Sequence, residues 1–116
     1  MKKPRPPRVP VSLPTTFEHA GAEAVGAIVN IGLGGAFVTT DSAPAYAESV
    51  VLIASFPGHP EPLQLAGTVR WSDASGFGVQ FESLRAREAH AISRLMVGCL
   101  RMQRNVGIPE SVPPGP

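Results

Sequence analysis

The chain has 116 residues, 43% of them hydrophobic and 16% charged, a balance that fits one folded domain with a modest core and excludes a disordered chain. Ten basic against nine acidic residues leave a formal charge of +1, so bulk charge does not call for a nucleic-acid polymer or an acidic surface. One cysteine, Cys99, excludes an internal disulfide and argues against a thiolate zinc site, while 13 Pro and 12 Gly favour short strands and tight turns over long helices.

The first eight residues carry Lys2, Lys3, Arg5 and Arg8 with no acid among them. Pro4, Pro6 and Pro7 keep this stretch extended, so residues 1–8 read as a flexible basic arm. No apolar segment follows Arg8 in the manner of a signal peptide, and no apolar run approaches the ~20 residues of a membrane helix. A cytoplasmic protein without membrane insertion is expected.

From Val9 the pattern has period two. Val9, Val11, Leu13 and Phe17 share one parity, which predicts a half-buried strand. Pro10 and Pro14 within it cannot donate to a ladder, so the strand should be an edge strand or paired on one side only. A polar turn is expected at residues 19–23. Val25, Ala27, Val29 and Ile31 then alternate with Gly26, Ile28 and Asn30 as a second strand. Gly32, Gly34 and Gly35 predict a tight connection into a short third strand, Ala36 to Thr40.

After a loop around Pro44, Val50 to Phe56 is an apolar run of strand length. Leu63, Leu65, Gly67, Val69 and Trp71 alternate with polar or small residues as a fifth strand, and Phe77, Val79 and Phe81 mark a sixth. Beyond Phe81 the period becomes 3.6. Ile92, Leu95, Met96, Cys99 and Met102 form one apolar stripe on a helix over about residues 85–103, with Ser83 as N-cap and Arg85, Arg87 and Glu88 off the stripe. Residues 104–116 read as a disordered Pro/Gly-rich tail. Residues 9–103 thus predict a mainly β domain, a small antiparallel barrel or sandwich of six strands, with the C-terminal α-helix covering an open end or face of the sheet.

Chemistry is sparse. His19, His59 and His90 are scattered, so no metal site is expected, and no nucleophile, base and orienting acid share a recognisable spacing. The chain reads as a binding protein, not an enzyme, and calls for no cofactor. Three stretches remain. Asn30-Ile31-Gly32-Leu33-Gly34-Gly35 joins two strands, with glycines that permit positive φ or close backbone approach. It is a tight turn on the plainest reading, and no dinucleotide fingerprint, because no helix follows. Arg5 and Arg8 offer planar forks suited to phosphate. Gly67-Thr68-Val69-Arg70-Trp71 and Gly76-Phe77-Gly78-Val79-Gln80-Phe81 carry Trp71 and Phe81, whose expected role is core and rim packing. At 6% aromatic residues, a general surface for single-stranded nucleic acid is not expected.

Arg8-Val9-Pro10-Val11, the Asn30–Gly35 stretch running into Ala36-Phe37-Val38, Gly67–Trp71, Gly76–Phe81 and the closing helix, taken in this order and spacing, resemble the PilZ domain family over about residues 5–103. The resemblance implies bacterial origin, a six-stranded barrel with a C-terminal helix, and binding of the second messenger cyclic diguanylate in many members. Family binding uses two arginines separated by three residues before the first strand. It also uses a turn motif, Asp or Asn, any residue, Ser, two more, then Gly. Arg8 matches the second arginine, but Pro4 stands at the first arginine's position and Arg5 lies one residue away from it. Asn30 and Gly35 match the turn motif, but Gly32 stands where it has serine.

The resemblance therefore implies a single-domain regulatory adaptor acting through protein–protein contacts, in motility, polarity or pilus-related signalling, with weak or lost cyclic diguanylate binding. Its candidate, degenerate ligand residues are Arg5, Arg8, Asn30, Gly32, Gly34 and Gly35. The alternative is a working receptor for cyclic diguanylate or a related cyclic dinucleotide, whose arm orders on ligand binding. Since the chain holds no effector domain, output through an unidentified protein partner is expected under either.

Overall fold

The computed structural model describes residues 8–107, with side chains as far as residue 98. Six strands and one helix follow in chain order: β1 (Val9–His19), β2 (Ala22–Ile31), β3 (Gly35–Thr39), β4 (Ser49–Ala54), β5 (Leu63–Asp73), β6 (Gly76–Phe81) and α1 (Ala86–Gly107). All pairings are antiparallel, and the strands close into a barrel in the order β1-β2-β3-β6-β5-β4. Closure leaves no free sheet edge.

The core is the set of inward side chains that the alternation predicts. Phe17 of β1 and Phe77 of β6, both fully buried, meet edge to face with ring centroids 5.0 Å apart. Leu52, Leu65, Val69, Ile28, Ile31 and Val38 fill the space around them. β1 pairs with β2 along its length, whereas β4 pairs only with Thr15–Glu18. The expected edge or one-sided strand is thereby corrected: β1 has two neighbours, and it is only Pro10 and Pro14 that stand outside the second ladder. Thr15, the polar residue on the buried parity, directs its hydroxyl to the Ile53 carbonyl of β4 at 2.9 Å.

Two local expectations are corrected. The turn between β1 and β2 is shorter than residues 19–23: Ala20 and Gly21 alone form it, with φ of 51° and 78°. Two successive positive φ values give the twist that a two-residue hairpin needs. The helix begins at Ala86, so Arg85 and not Ser83 holds the N-cap position. Glu88 lies three residues on and reaches back to the Arg85 backbone N–H at 3.2 Å, half of a capping box.

Glu88 is also buried, at 2% exposure, and not off the apolar stripe. With Ala91 and Ile92 it forms the helix face turned to the barrel, and Leu95 and Met96 continue it partly buried. The carboxylate tolerates burial because Arg85 grips both oxygens, from Nε at 3.1 Å and from Nη2 at 2.7 Å. These bonds hold the Glu88 carboxyl below its ordinary value of 4.5, against the opposing effect of burial. A depressed native pKa means the contact stabilises the fold fully above that ordinary value and is lost as pH falls through the native one. Glu88→Gln should therefore cost about 1.5–3 kcal/mol at pH 7. Urea unfolding of both chains at pH 7 and in acid should show that difference shrinking in acid; a constant difference would assign it to packing.

The helix packs on β1 and β5 and runs to Gly107, four residues past the expected end at residue 103. No proline or glycine interrupts residues 99–106, so nothing in the backbone stops it earlier. Of the arm expected over residues 1–8 only Arg8 is described; residues 1–7, residues 108–116 of the tail expected over 104–116, and the side chains of Cys99 and Met102 lie outside the described residues.

Candidate functional site

The outer face of the barrel over β2, β3, β6 and β5 carries a groove of about 700 Å³. Arg8, Asn30, Gly34 and Phe37 line it from the β2–β3 side; Arg70, Trp71, Gly78, Val79 and Gln80 line it from β5 and β6. Its size is that of a small-molecule site. Two irregularities in the ladders place its side chains. In β2, Ile28 and Ile31 are both fully buried although three residues apart, because the register against β3 shifts between Ile28 and Asn30. Perfect alternation would send Asn30 inward with Ile28; the bulge turns it out to the groove. In β5 the register against β6 shifts between Val69 and Trp71. Val69 is fully buried, yet Trp71, of the same parity, is 50% exposed beside the exposed Arg70.

These bulges correct two sequence expectations. The strand of Val25, Ala27, Val29 and Ile31 does not present one face, since Val25 is exposed and Ile28 is core. Trp71 is a surface aromatic of the groove, its ring tilted against Phe37 with centroids 5.3 Å apart. Phe81 does take its expected place in the core. A bulge inserts one residue without changing which residue types alternate, so composition along the strand does not announce it.

Of the six candidate residues, Arg8, Asn30 and Gly34 come together at the groove. Arg8 donates from Nη1 to the side-chain oxygen of Asn30 at 3.3 Å, across 22 residues of sequence. Gly32 and Gly35 close the β2–β3 turn, where the Gly32 N–H donates to the Gly35 carbonyl at 2.9 Å. Arg5 lies outside the described residues. Positive φ is not what this turn asks of its glycines: among the described residues the left-handed glycines are Gly21, Gly58 and Gly76. Gly35 is instead required by close approach. A Cβ there would collide with the Val79 carbonyl oxygen of β6 and lie 3.2 Å from the Arg8 guanidinium.

Sequence reasoning did not assign Phe37, Arg70 or Gln80 to a site. Arg70 donates from Nε to the Gln80 side-chain oxygen at 2.7 Å, a cross-strand contact on the outer face. Two guanidinium groups, two amides and an aromatic pair suit an anionic ligand with a planar ring. A second, smaller concavity of about 430 Å³ lies at the β1–β2 hairpin, lined by Glu18, His19, Glu23 and Ser49 among others. Its carboxylates disfavour anions, and it contains none of the candidate residues. No group of three metal-ligating side chains occurs among the described residues, and no helix among them is long and apolar enough to cross a membrane.

The comparisons agree on the fold. The family model described as "PilZ domain" matches residues 2–98. The PilZ domain of CeSA from a cellulose-synthesizing bacterium superposes with a TM-score of 0.62 at 19% identity, covering 78% of this chain and 95% of that one. The Bacillus subtilis inhibitor of motility MotI/DgrA gives 0.67 at 20% identity, over 90% of this chain and 53% of that one. Borreliella burgdorferi PlzA, solved in complex with c-di-GMP, gives 0.63 at 14% identity, over 78% and 40% respectively. At these identities the likeness is one of fold. The chain spans about half or less of the last two. No curated protein matches it.

Proposed function

The chain belongs to the PilZ domain family, whose members are regulatory binding domains, and from that premise we propose that it is a regulatory adaptor with a weakened cyclic diguanylate site, acting through protein–protein contacts in the cytoplasm. The observation that carries this reading is the pairing of Arg8 with Asn30 in the groove while Gly32 occupies the neighbouring motif position. Two side chains of the ligand motifs are present and in reach of each other. The hydroxyl that would complete them is missing, and Pro4 stands where the other motif arginine would be. Loss of one hydrogen bond to a charged ligand costs about 1.5–3 kcal/mol, or one to two decades of affinity. A ligand held so loosely modulates a partner complex better than it switches an isolated domain. By analogy with the inhibitor of motility, the partner would belong to a motility or pilus-related assembly.

The second reading is a working receptor for cyclic diguanylate, favoured by the polar and aromatic residues on the β5–β6 side of the groove. Amide NMR with cyclic diguanylate separates the two. The adaptor reading expects fast-exchange shifts at Asn30, Gly34 and Arg70, with amide signals of residues 1–7 little changed at saturation. Slow exchange together with new protection of residues 1–7 would favour the receptor and overturn the adaptor.

A further inference from the structure

Neither ligand motif of the family includes the β5–β6 side of the groove, and that side is built with some care. The bulge between Val69 and Trp71 sets two consecutive side chains, Arg70 and Trp71, on the outside of β5. Bulges of this kind re-aim side chains beside functional sites. Opposite Trp71 stands Gly78, whose missing side chain leaves the groove open: a Cβ there would meet Trp71 at 3.7 Å. Gln80 holds the Arg70 guanidinium from the neighbouring strand at 2.7 Å. Arginine only donates, so the Gln80 oxygen must face it and the Gln80 NH₂ is turned away as a spare donor. One edge of the Arg70 fork is occupied by that contact; the rest is on an exposed side chain lining the same groove as Arg8.

We infer that Arg70, positioned by Gln80 and flanked by Trp71, is a phosphate-binding residue of the groove, serving with Arg8 as its second arginine fork. The inference rests on the reading of the groove as a cyclic dinucleotide site, and it names the residue that supplies its second cation. A cyclic dinucleotide carries two phosphodiester charges on a rigid ring. Two forks lining one groove can each take one, and an aromatic face beside a fork can take a base. The motif arginine whose place Pro4 takes is thereby supplied from a strand of the barrel.

Trp71 is the single tryptophan of the chain, so its emission reports on this side alone. The full chain is titrated with cyclic diguanylate, following Trp71 emission and, separately, heat, for wild type, Arg70→Ala, Arg70→Lys and Arg8→Ala, each also carrying Gly32→Ser to raise affinity into a measurable range. Arg70→Ala should weaken binding about tenfold to a hundredfold, comparably to Arg8→Ala, and lysine should restore only part because it lacks the planar fork. Wild-type emission should change on titration. Unchanged affinity in Arg70→Ala, with binding intact in wild type, overturns the role of Arg70 and leaves the groove reading standing. Neither heat nor emission change in wild type or in Gly32→Ser overturns the groove reading, and the role of Arg70 with it.

Discussion

Gly32→Ser is expected to tighten cyclic diguanylate binding by about one to two decades. The position follows Asn30 by two residues in a turn that starts β3, and Asn30 already accepts from Arg8. A hydroxyl restored there adds one hydrogen bond to a charged ligand beside groups that are already placed, so little further ordering is needed. The backbone permits the change, since Gly32 is not in the left-handed region that only glycine occupies freely. Gly32 is buried, so the unfolding midpoint is measured alongside to separate a lost fold from a lost site. A variant that keeps its midpoint and gains no affinity would remove the missing hydroxyl as the cause of weak binding.

Gly35→Ala should do the opposite, damaging fold and site together. The new Cβ would occupy the position of the Val79 carbonyl oxygen, which belongs to the β3–β6 ladder through the Ala36–Val79 register pair. Neither strand can yield without opening that ladder, so the cost should reach or exceed the upper end of the ~1–3 kcal/mol usual for overpacking. For a domain of this size, each kcal/mol lowers the melting temperature by about 4–8 °C. The same Cβ crowds the Arg8 guanidinium at 3.2 Å, so ligand binding falls with stability. Gly78→Ala is the comparison: its Cβ meets only Trp71, at 3.7 Å, an ordinary contact, and the melting temperature should move far less. Equal losses in the two variants would show that general strand propensity, and not the Val79 carbonyl, sets the requirement for glycine.

Most of the barrel is legible in the sequence because inward and outward residues alternate with little noise. Val9, Leu13 and Phe17, or Leu63, Leu65 and Val69, name their buried face directly. The helix is equally plain from its change of period. What escapes is what breaks a period. The two bulges that send Asn30 and Trp71 outward are set by pairing across strands, which local sequence does not contain. The buried Glu88 reads as a surface charge until Arg85 is seen holding it at the helix start. Arg8 and Asn30 are legible as candidates from motif spacing, and the fold brings them within a hydrogen bond of each other. Arg70 and Gln80 belong to neither ligand motif. They meet only because β5 and β6 are neighbours, with Thr68 opposite Gln80 and Val69 opposite Val79 before the register slips. Functional residues brought together by register, in this fold, are the ones that sequence spacing cannot supply.

The groove is proposed as a cyclic dinucleotide site kept but weakened. Titration calorimetry of the wild-type chain with cyclic diguanylate tests it most directly, with Arg8→Ala as the comparison. The account predicts binding weaker than low micromolar in the wild type and none detectable in Arg8→Ala. Low-micromolar or tighter wild-type binding that Arg8→Ala abolishes would contradict it and make the chain a full receptor.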